Sequence, residues 1–308
     1  MVLEAIRYDH WGSSPPFQPF LNMHSDSYQE FQMSWNPYCV KKDALLYQFR
    51  TGNEDNTIEL VPDACLNILL ELDMSRPHAI LSGTSLRPTQ LTLKPNTTYF
   101  GFKPYSNLGI KSPGTGFCEL INASIDLTCV YPGANRMIED MLSAETINER
   151  IGIFLNFTIN NLVDHDYSPT FVDYLAIILC SAHENIVFSS IGTSIGYSER
   201  YCRGKFKECF GLSPKQYSSI IRFQNALKAL VSGSCGELSS LAAECGYFDQ
   251  AHLTHEFRRY INTPPDKFLR NFQDNAAKNV ECVCEAPHGS LYHLLRSWYV
   301  NNNDKEKS

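Results

Sequence analysis

One stretch of this chain occurs twice. Ser190-Ile191-Gly192-Thr193-Ser194-Ile195-Gly196-Tyr197 aligns with Ser240-Leu241-Ala242-Ala243-Glu244-Cys245-Gly246-Tyr247 at an offset of 50 residues. After one inserted residue the match resumes at an offset of 51, pairing Phe206 with Phe257, Pro214 with Pro265 and Tyr217 with Phe268. Self-similarity of this kind means that one supersecondary unit is used twice, and it fixes the architecture of the second half before any other argument is made.

Each copy reads as a short helix, a turn at Gly196 or Gly246, and a second helix opened by a side-chain cap, Ser198 or Asp249. A glycine between two short amphipathic segments supplies the positive φ that a sharp helix-to-helix turn requires. In the second helices the pattern places Tyr201, Cys202 and Phe206 on one side, as it does Leu253, Phe257 and Tyr260. Arg200, Arg203 and Lys205, and in the other copy Gln250, Thr254 and His255, are left outside. Such donors suit a helix in a major groove, where Arg and Gln read purine edges and Lys and Arg meet phosphates. Between the copies, Lys215 to Val231 is predicted helical, with Tyr217, Ile220, Ile221, Leu227, Leu230 and Val231 on one broad face and Gly233 and Gly236 at its end. A rod of roughly 25 Å at 1.5 Å per residue can hold two recognition helices near successive major grooves, roughly 34 Å apart.

At this point the chain resembles a known family. Residues 168–272 look like the bipartite DNA-binding domain of AraC/XylS-type transcription regulators, with the run from Leu241 to Arg259, closed by Pro264-Pro265 and Phe268, similar to its second-repeat signature. The resemblance implies that Tyr201 and Arg203 in the first copy, and Gln250, His252 and Thr254 in the second, occupy or adjoin base- or phosphate-contacting positions. The DNA-binding set read from the face and the resemblance together is Ser198, Arg200, Tyr201, Arg203, Lys205, Lys207, Lys215, Gln250, Ala251, His252, Thr254, His255, Arg258 and Arg259. Three positions depart from the family pattern: Gly192 stands in place of Ala, and Gly204 and His255 in place of Arg. Each glycine costs up to ~1 kcal/mol of helix propensity. The partners implied are a double-stranded DNA operator, RNA polymerase, a small-molecule effector and a second protomer in a homodimer.

Charge agrees only when it is resolved along the chain. The net of -7 over 308 residues argues against a nucleic-acid binder as a whole. Residues 1–167 hold 11 Lys+Arg against 19 Asp+Glu, whereas residues 168–272 hold 11 against 9. At twice the usual domain length, two domains are expected. No run approaches ~18 apolar residues and the N-terminus lacks a signal pattern, which predicts a cytoplasmic protein with no membrane partner. The 11 cysteines are odd in number and dispersed, and read as reduced thiols.

The first half breaks into short apolar runs: Ala44 to Phe49, Ile58 to Val61, Cys65 to Leu72, Ala79 to Leu81, Gln90 to Leu93 and Tyr99 to Lys103, with turns at Gly52-Asn53, Pro62-Asp63, Arg76-Pro77, Pro95-Asn96 and Lys103-Pro104. Pro62 to Leu69 and Tyr99 to Pro104 also resemble segments in the sensor halves of some AraC-type regulators. Trp11, Trp35, Arg50, Arg87 and Tyr99 are candidates to line an effector pocket; the alternative is core aromatics and solvated arginines. His10, His24, His78 and His165 are isolated, and neither a nucleophile elbow nor a phosphate loop is present, so no enzyme, metal or cofactor is expected here. From Gly133 to Leu162 apolar residues recur at spacings of 3, 4 and 7, predicting two helices whose faces need the barrel or a second protomer as partner. In the tail, Cys282, Cys284, His288 and His293 raise a zinc question at a spacing that matches no common finger, and Leu291 to Val300 reads as a helix.

The expected fold is therefore α+β: an N-terminal mostly-β barrel or sandwich at 1–132, a helical dimerisation or linker segment at 133–167, an all-α domain with two helix-turn-helix units at 168–272, and a tail at 273–308. The expected function is sequence-specific transcription regulation under a small effector. The alternative is a protein-interaction antagonist of a regulator that does not itself read DNA.

Overall fold

The computed structural model describes residues 16–35, 42–105, 109–114, 116–167, 170–181, 196–234 and 236–276. The first half opens with a short helix α1 (Pro19–Met23), followed by β1 (Ser27–Trp35), β2 (Lys42–Arg50), β3 (Asn56–Leu60), β4 (Asn67–Leu72), β5 (His78–Ser82), β6 (Thr89–Leu93), β7 (Thr98–Pro104) and β8 (Ser124–Asp126). Six of these form an antiparallel sheet in the order β1-β2-β7-β4-β5-β8, and β3 pairs with β6 as a separate ribbon.

The central strands are apolar on both faces because both faces are covered. Along β2 and β7, Leu46, Phe100 and Phe102 join Ile68 and Leu70 against two helices, α2 (Ala134–Ser143) and α3 (Ile147–Phe157). The alternate residues Leu45, Tyr47, Phe49, Leu69 and Tyr99 face the ribbon with Ile58 and Leu93. This is the period of two expected of a strand, filled on both sides. Phe154 of α3 sits 5.4 Å from the Phe100 ring and 5.1 Å from that of Phe102. The apolar faces of α2 and α3 thus find their partner in the sheet of the same chain. Thr146 and Glu149 form a reciprocal cap at the start of α3. A π turn over Thr158–Leu162 ends it, and Val163 then bridges Ile110.

The second half is helical: α4 (Phe171–Ser181), α5 (Glu199–Phe210), α6 (Pro214–Ser232), α7 (Leu238–Glu244), α8 (Gln250–Ile261) and α9 (Pro265–Ala276). The connecting rod α6 begins with a capping box of Ser213 and Gln216 and ends at Gly233, φ 66°. Its face of Tyr217, Ile220, Phe223, Leu227 and Leu230 is buried among Phe206, Leu241, Leu253 and Phe257. The predicted first helix of the first copy, the departure at Gly192, Trp11 and the tail residues Cys282, Cys284, His288 and His293 lie outside the described residues.

The two halves share one core. Val61 and Ala64 belong to the same buried cluster as α4 and α6. Gln224 of α6 accepts from the Phe17 backbone N–H at 2.9 Å and donates to the Pro62 carbonyl at 2.8 Å. Phe20 meets Phe268 edge-on at 6.1 Å, and Phe17 meets Phe272 at 6.0 Å. Beside the α5 terminus, Cys118 donates through Sγ to the Lys207 carbonyl at 3.1 Å.

Lys228, on the same rod, carries a pH signature. Burial pushes its ammonium down to about 7, against the opposing pull of Cys65, Glu30 and Asp63. The unfolded chain therefore binds more protons than the folded one between about pH 7 and the ordinary lysine value, so stability rises with pH across that window. Lys228→Met is expected to raise the thermal midpoint most at about pH 6, by up to a few kcal/mol of stability, with the gain shrinking by about pH 9.5. Equal gains at both pH values in paired thermal melts would contradict it.

Candidate nucleic-acid interface

The second copy of the repeat is complete. Helix α7 ends where Tyr247 N–H reaches the Ala242 carbonyl at 2.8 Å, with Gly246 at φ 73° carrying the reversal. A side chain there would be strained, which is why the sequence places glycine at the bend. Tyr247 is buried, with the Arg222 guanidinium 4.8 Å over its ring and His252 against its edge at 5.2 Å. Asp249 then caps α8, accepting from the His252 N–H at 2.7 Å.

Leu253, Phe257, Tyr260 and Ile261 bury one side of α8. Glu256 is buried as well, held by Arg222 at 3.3 Å and by the Ser219 hydroxyl, both from α6. This polar tie fixes α8 on the rod. On the other side, Gln250, Ala251, Thr254, His255 and Arg258 together line an open concavity of about 560 Å³. Thr254 bonds back to the Gln250 carbonyl at 2.8 Å, and Gln250 is exposed. Arg259 lies over the Tyr260 ring at 5.2 Å. Twelve residues make α8 about 18 Å long, and a major groove about 12 Å wide admits such a helix.

The first copy is described from Gly196 onward. Gly196 has φ 77°, and Ser198 accepts from the Tyr201 N–H at 3.3 Å. Cys202, Phe206 and Phe210 are buried. Tyr201 corrects the expected apolar face: it is 44% exposed and stacks on Tyr197 at 5.0 Å and Phe171 at 5.8 Å. At 100° per residue Tyr201 and Phe206 stand about 140° apart, too far to share one stripe. Arg200 and Lys207 are exposed, as is Lys215 at the start of α6. Arg203 and Lys205 are engaged within the helix, by Glu199 at 2.6 Å and Glu208 at 2.8 Å. Exposed pairs at this spacing contribute only about 0.3–0.5 kcal/mol, so both cations can exchange their carboxylate for a phosphate. No atom lies within 4 Å of the position of a Cβ on Gly204, so its lack of a side chain leaves a gap in this face.

Three of the candidate effector side chains, Arg50, Arg87 and Tyr99, are described, and they occupy different surroundings. Arg50 and Arg87 are exposed, while Tyr99 is a core ring 5.0 Å from Phe49 whose hydroxyl accepts from the Lys94 N–H and reaches Glu71. Trp35 lies in β1 but its side chain is outside the described residues. A different set lines a cavity of about 230 Å³ between the sheet and the ribbon: Gln18, Asp63, Asn67, Ser82, Thr84, Thr89, Lys103 and Asn122 among others. Lys103 and Asp63 form a buried ion pair there. Burial opposes the Lys103 charge, yet Asp63 and neighbouring groups hold its pKa above the usual lysine value. The runs containing Asp63 and Lys103 were legible in the sequence, but nothing in them signals that both charges are interior. Among the described residues, no three His, Cys, Asp or Glu side chains gather as a metal site, and no helix is long and apolar enough to cross a membrane.

Residues 191–271 match a family model described as a helix-turn-helix domain. No curated protein matches the chain. Solved structures similar to it include the DNA-binding domain of AdpA in complex with a target DNA, 21% identical, covering 35% of this chain and 96% of that one, TM-score 0.32. A probable AraC family transcriptional regulator from Rhodopseudomonas palustris is 20% identical over 33% of this chain and 92% of its own, TM-score 0.29. ToxT from Vibrio cholerae is 11% identical over 79% of this chain and 98% of its own, TM-score 0.40. The repeat, its two capped second helices and the match over 191–271 coincide on the same residues, and this region of the chain is a helix-turn-helix domain.

Proposed function

We propose that this chain is a sequence-specific transcription regulator that grips double-stranded DNA through α5 and α8, with a small effector held in the first half. The observation that carries the reading is the two-sidedness of α8. One face is locked to the rod through Leu253, Phe257 and the Glu256–Arg222 tie, and the other leaves Gln250, Thr254, His255 and Arg258 around an open concavity. A helix so held loses little further freedom on docking, and its donors are of the types that read base edges and phosphates.

Replacing Gln250, His252 and Thr254 together by alanine is expected to cut the ratio of specific to random-duplex affinity by at least tenfold, since a lost base contact is worth about 1–3 kcal/mol. Arg258→Ala should instead weaken binding to all duplexes and reduce the slope of log affinity against log salt by about one. Unchanged ratios in a gel shift at several salt concentrations would defeat the reading. Failure of the intact chain to bind any duplex would favour a protein-docking antagonist, the reading that the net acidity and the absence of arginine at Gly204 and His255 favour.

The effector pocket in this reading is the 230 Å³ cavity, whose hydroxyl and amide groups suit a small molecule rich in hydrogen-bonding groups. RNA polymerase and a second copy of the chain complete the proposed partners.

A further inference from the structure

Phe248 is the residue by which the two copies differ in length. The first copy runs Gly196-Tyr197-Ser198 into its cap, whereas the second runs Gly246-Tyr247-Phe248-Asp249. The extra residue is the most exposed of the large apolar side chains named among the described residues, at 93%. Leaving a phenylalanine ring in water forgoes about 1.5–3 kcal/mol of burial. The backbone on either side of this ring is anchored. On one side the chain is anchored by the buried Tyr247, pinned between Arg222 and His252. On the other, Asp249 is fixed as the cap of α8, and the Phe248 N–H itself points to His252 Nδ1 at 3.4 Å. The backbone that carries the ring is thereby held just before the cap of α8, two residues ahead of the exposed Gln250.

We propose that Phe248 is a specificity residue for duplex DNA, making apolar contact with the 5-methyl group of a thymine in the major groove beside the bases that α8 reads. The inference rests on the DNA-binding reading above. Apolar side chains recognise thymine by its C5-methyl, the one methyl group on the major-groove edge of a base pair. In this arrangement the contact would extend the open face of Gln250, Thr254, His255 and Arg258 at the N-terminal end of α8.

The test uses the full chain. Duplexes it prefers are first selected from a random library, and each thymine of the selected site is then replaced in turn by deoxyuridine, which lacks only the methyl. The intact protein is expected to lose about fourfold in affinity at one thymine, the worth of one buried methyl, and Phe248→Ser to lose about tenfold on the unmodified site. Phe248→Ser should be indifferent to deoxyuridine at that position, while its affinity for random duplex and its salt slope stay as before. A second variant, Phe248→Leu, should restore part of the sensitivity. Uniform indifference of the intact protein to deoxyuridine, or equal losses in intact protein and Phe248→Ser, would overturn the proposal while leaving DNA binding intact. Failure to select any duplex would instead remove the functional reading itself, and this proposal with it.

Discussion

Asp63→Ala is expected to destabilise the folded chain by about 3–5 kcal/mol, the usual cost of leaving one member of a buried ion pair without its partner. Lys103 has no alternative outlet. It sits in the middle of the first half, its ammonium on Asp63, under Tyr47, Cys65 and Asn67, and it is almost fully buried. Asp63 is committed further, accepting from the Gln18 amide at 2.8 Å and from the Cys65 N–H at 3.1 Å. Gln18 in turn holds the Val61 backbone through both ends of its amide, at 2.7 and 2.9 Å. Loss of the carboxylate therefore loosens the segment through which the first half touches α6. The raised folded pKa of Lys103 means that the pair's contribution is complete below the ordinary lysine value and is lost only as pH rises through the folded one. Urea unfolding at neutral pH measures the effect. Asp63→Leu combined with Lys103→Met should recover most of the loss, because two apolar side chains remove both the unpaired charge and its desolvation. Asp63→Ala within about 1 kcal/mol of the parent would show that water reaches the ammonium.

The second large effect is expected at Gly101, where alanine should cost about 3 kcal/mol, the upper end of what inserting one methyl into a filled core costs. Gly101 lies between Tyr47 on β2 and Leu69 on β4. A Cβ built there would overlap the Tyr47 ring at its Cζ edge. That ring cannot move aside cheaply: it is buried, stacked 6.3 Å from Phe49, and its hydroxyl donates to Asn67 Oδ1 at 2.7 Å. Burial also pushes the phenol up to about 12, so the group stays neutral and bonded across the working range. The glycine is thus required by a close approach between strands, and its conformational freedom plays no part. In a double-mutant cycle with Tyr47→Leu, the penalty of Gly101→Ala should largely vanish, since the smaller side chain vacates the clash. An undiminished penalty in that background would place the strain in the β7 backbone instead.

The strands that were visible in the sequence were those buried on both faces. Runs such as Ala44 to Phe49 and Tyr99 to Lys103 are nearly all apolar and are bounded by turn residues, and they became β2 and β7. Strand β1, Ser27–Trp35, was not singled out as a run because its apolar residues Tyr28, Phe31 and Met33 are interleaved with Gln29, Glu30 and Gln32. Yet Glu30 is half-buried, its carboxyl pushed up by desolvation and hydrogen-bonded by Tyr28. Strand β8 has three residues and no pattern of its own. In the candidate interface, the turn glycines, the caps Ser198 and Asp249 and the buried stripe of α8 followed from spacing. The solvent position of Tyr201 and the isolation of Phe248 did not, because a single aromatic beside an apolar stripe looks the same inward or outward.

Helix periodicity, caps and turn glycines act within about ten residues, so the order of residues alone determined the two capped second helices, the helix-turn-helix of the second copy and the rod between the copies. The effector-side cavity was decided elsewhere. Asp63 and Lys103 stand 40 residues apart in the chain, and only the pairing of β7 with its neighbours, together with the Gln18 bridge, carries them into one interior site. The same holds for the union of the halves, where Gln224 meets a backbone 207 residues away at Phe17. Burial is a property of what surrounds a group, and no local pattern specifies its surroundings at that separation.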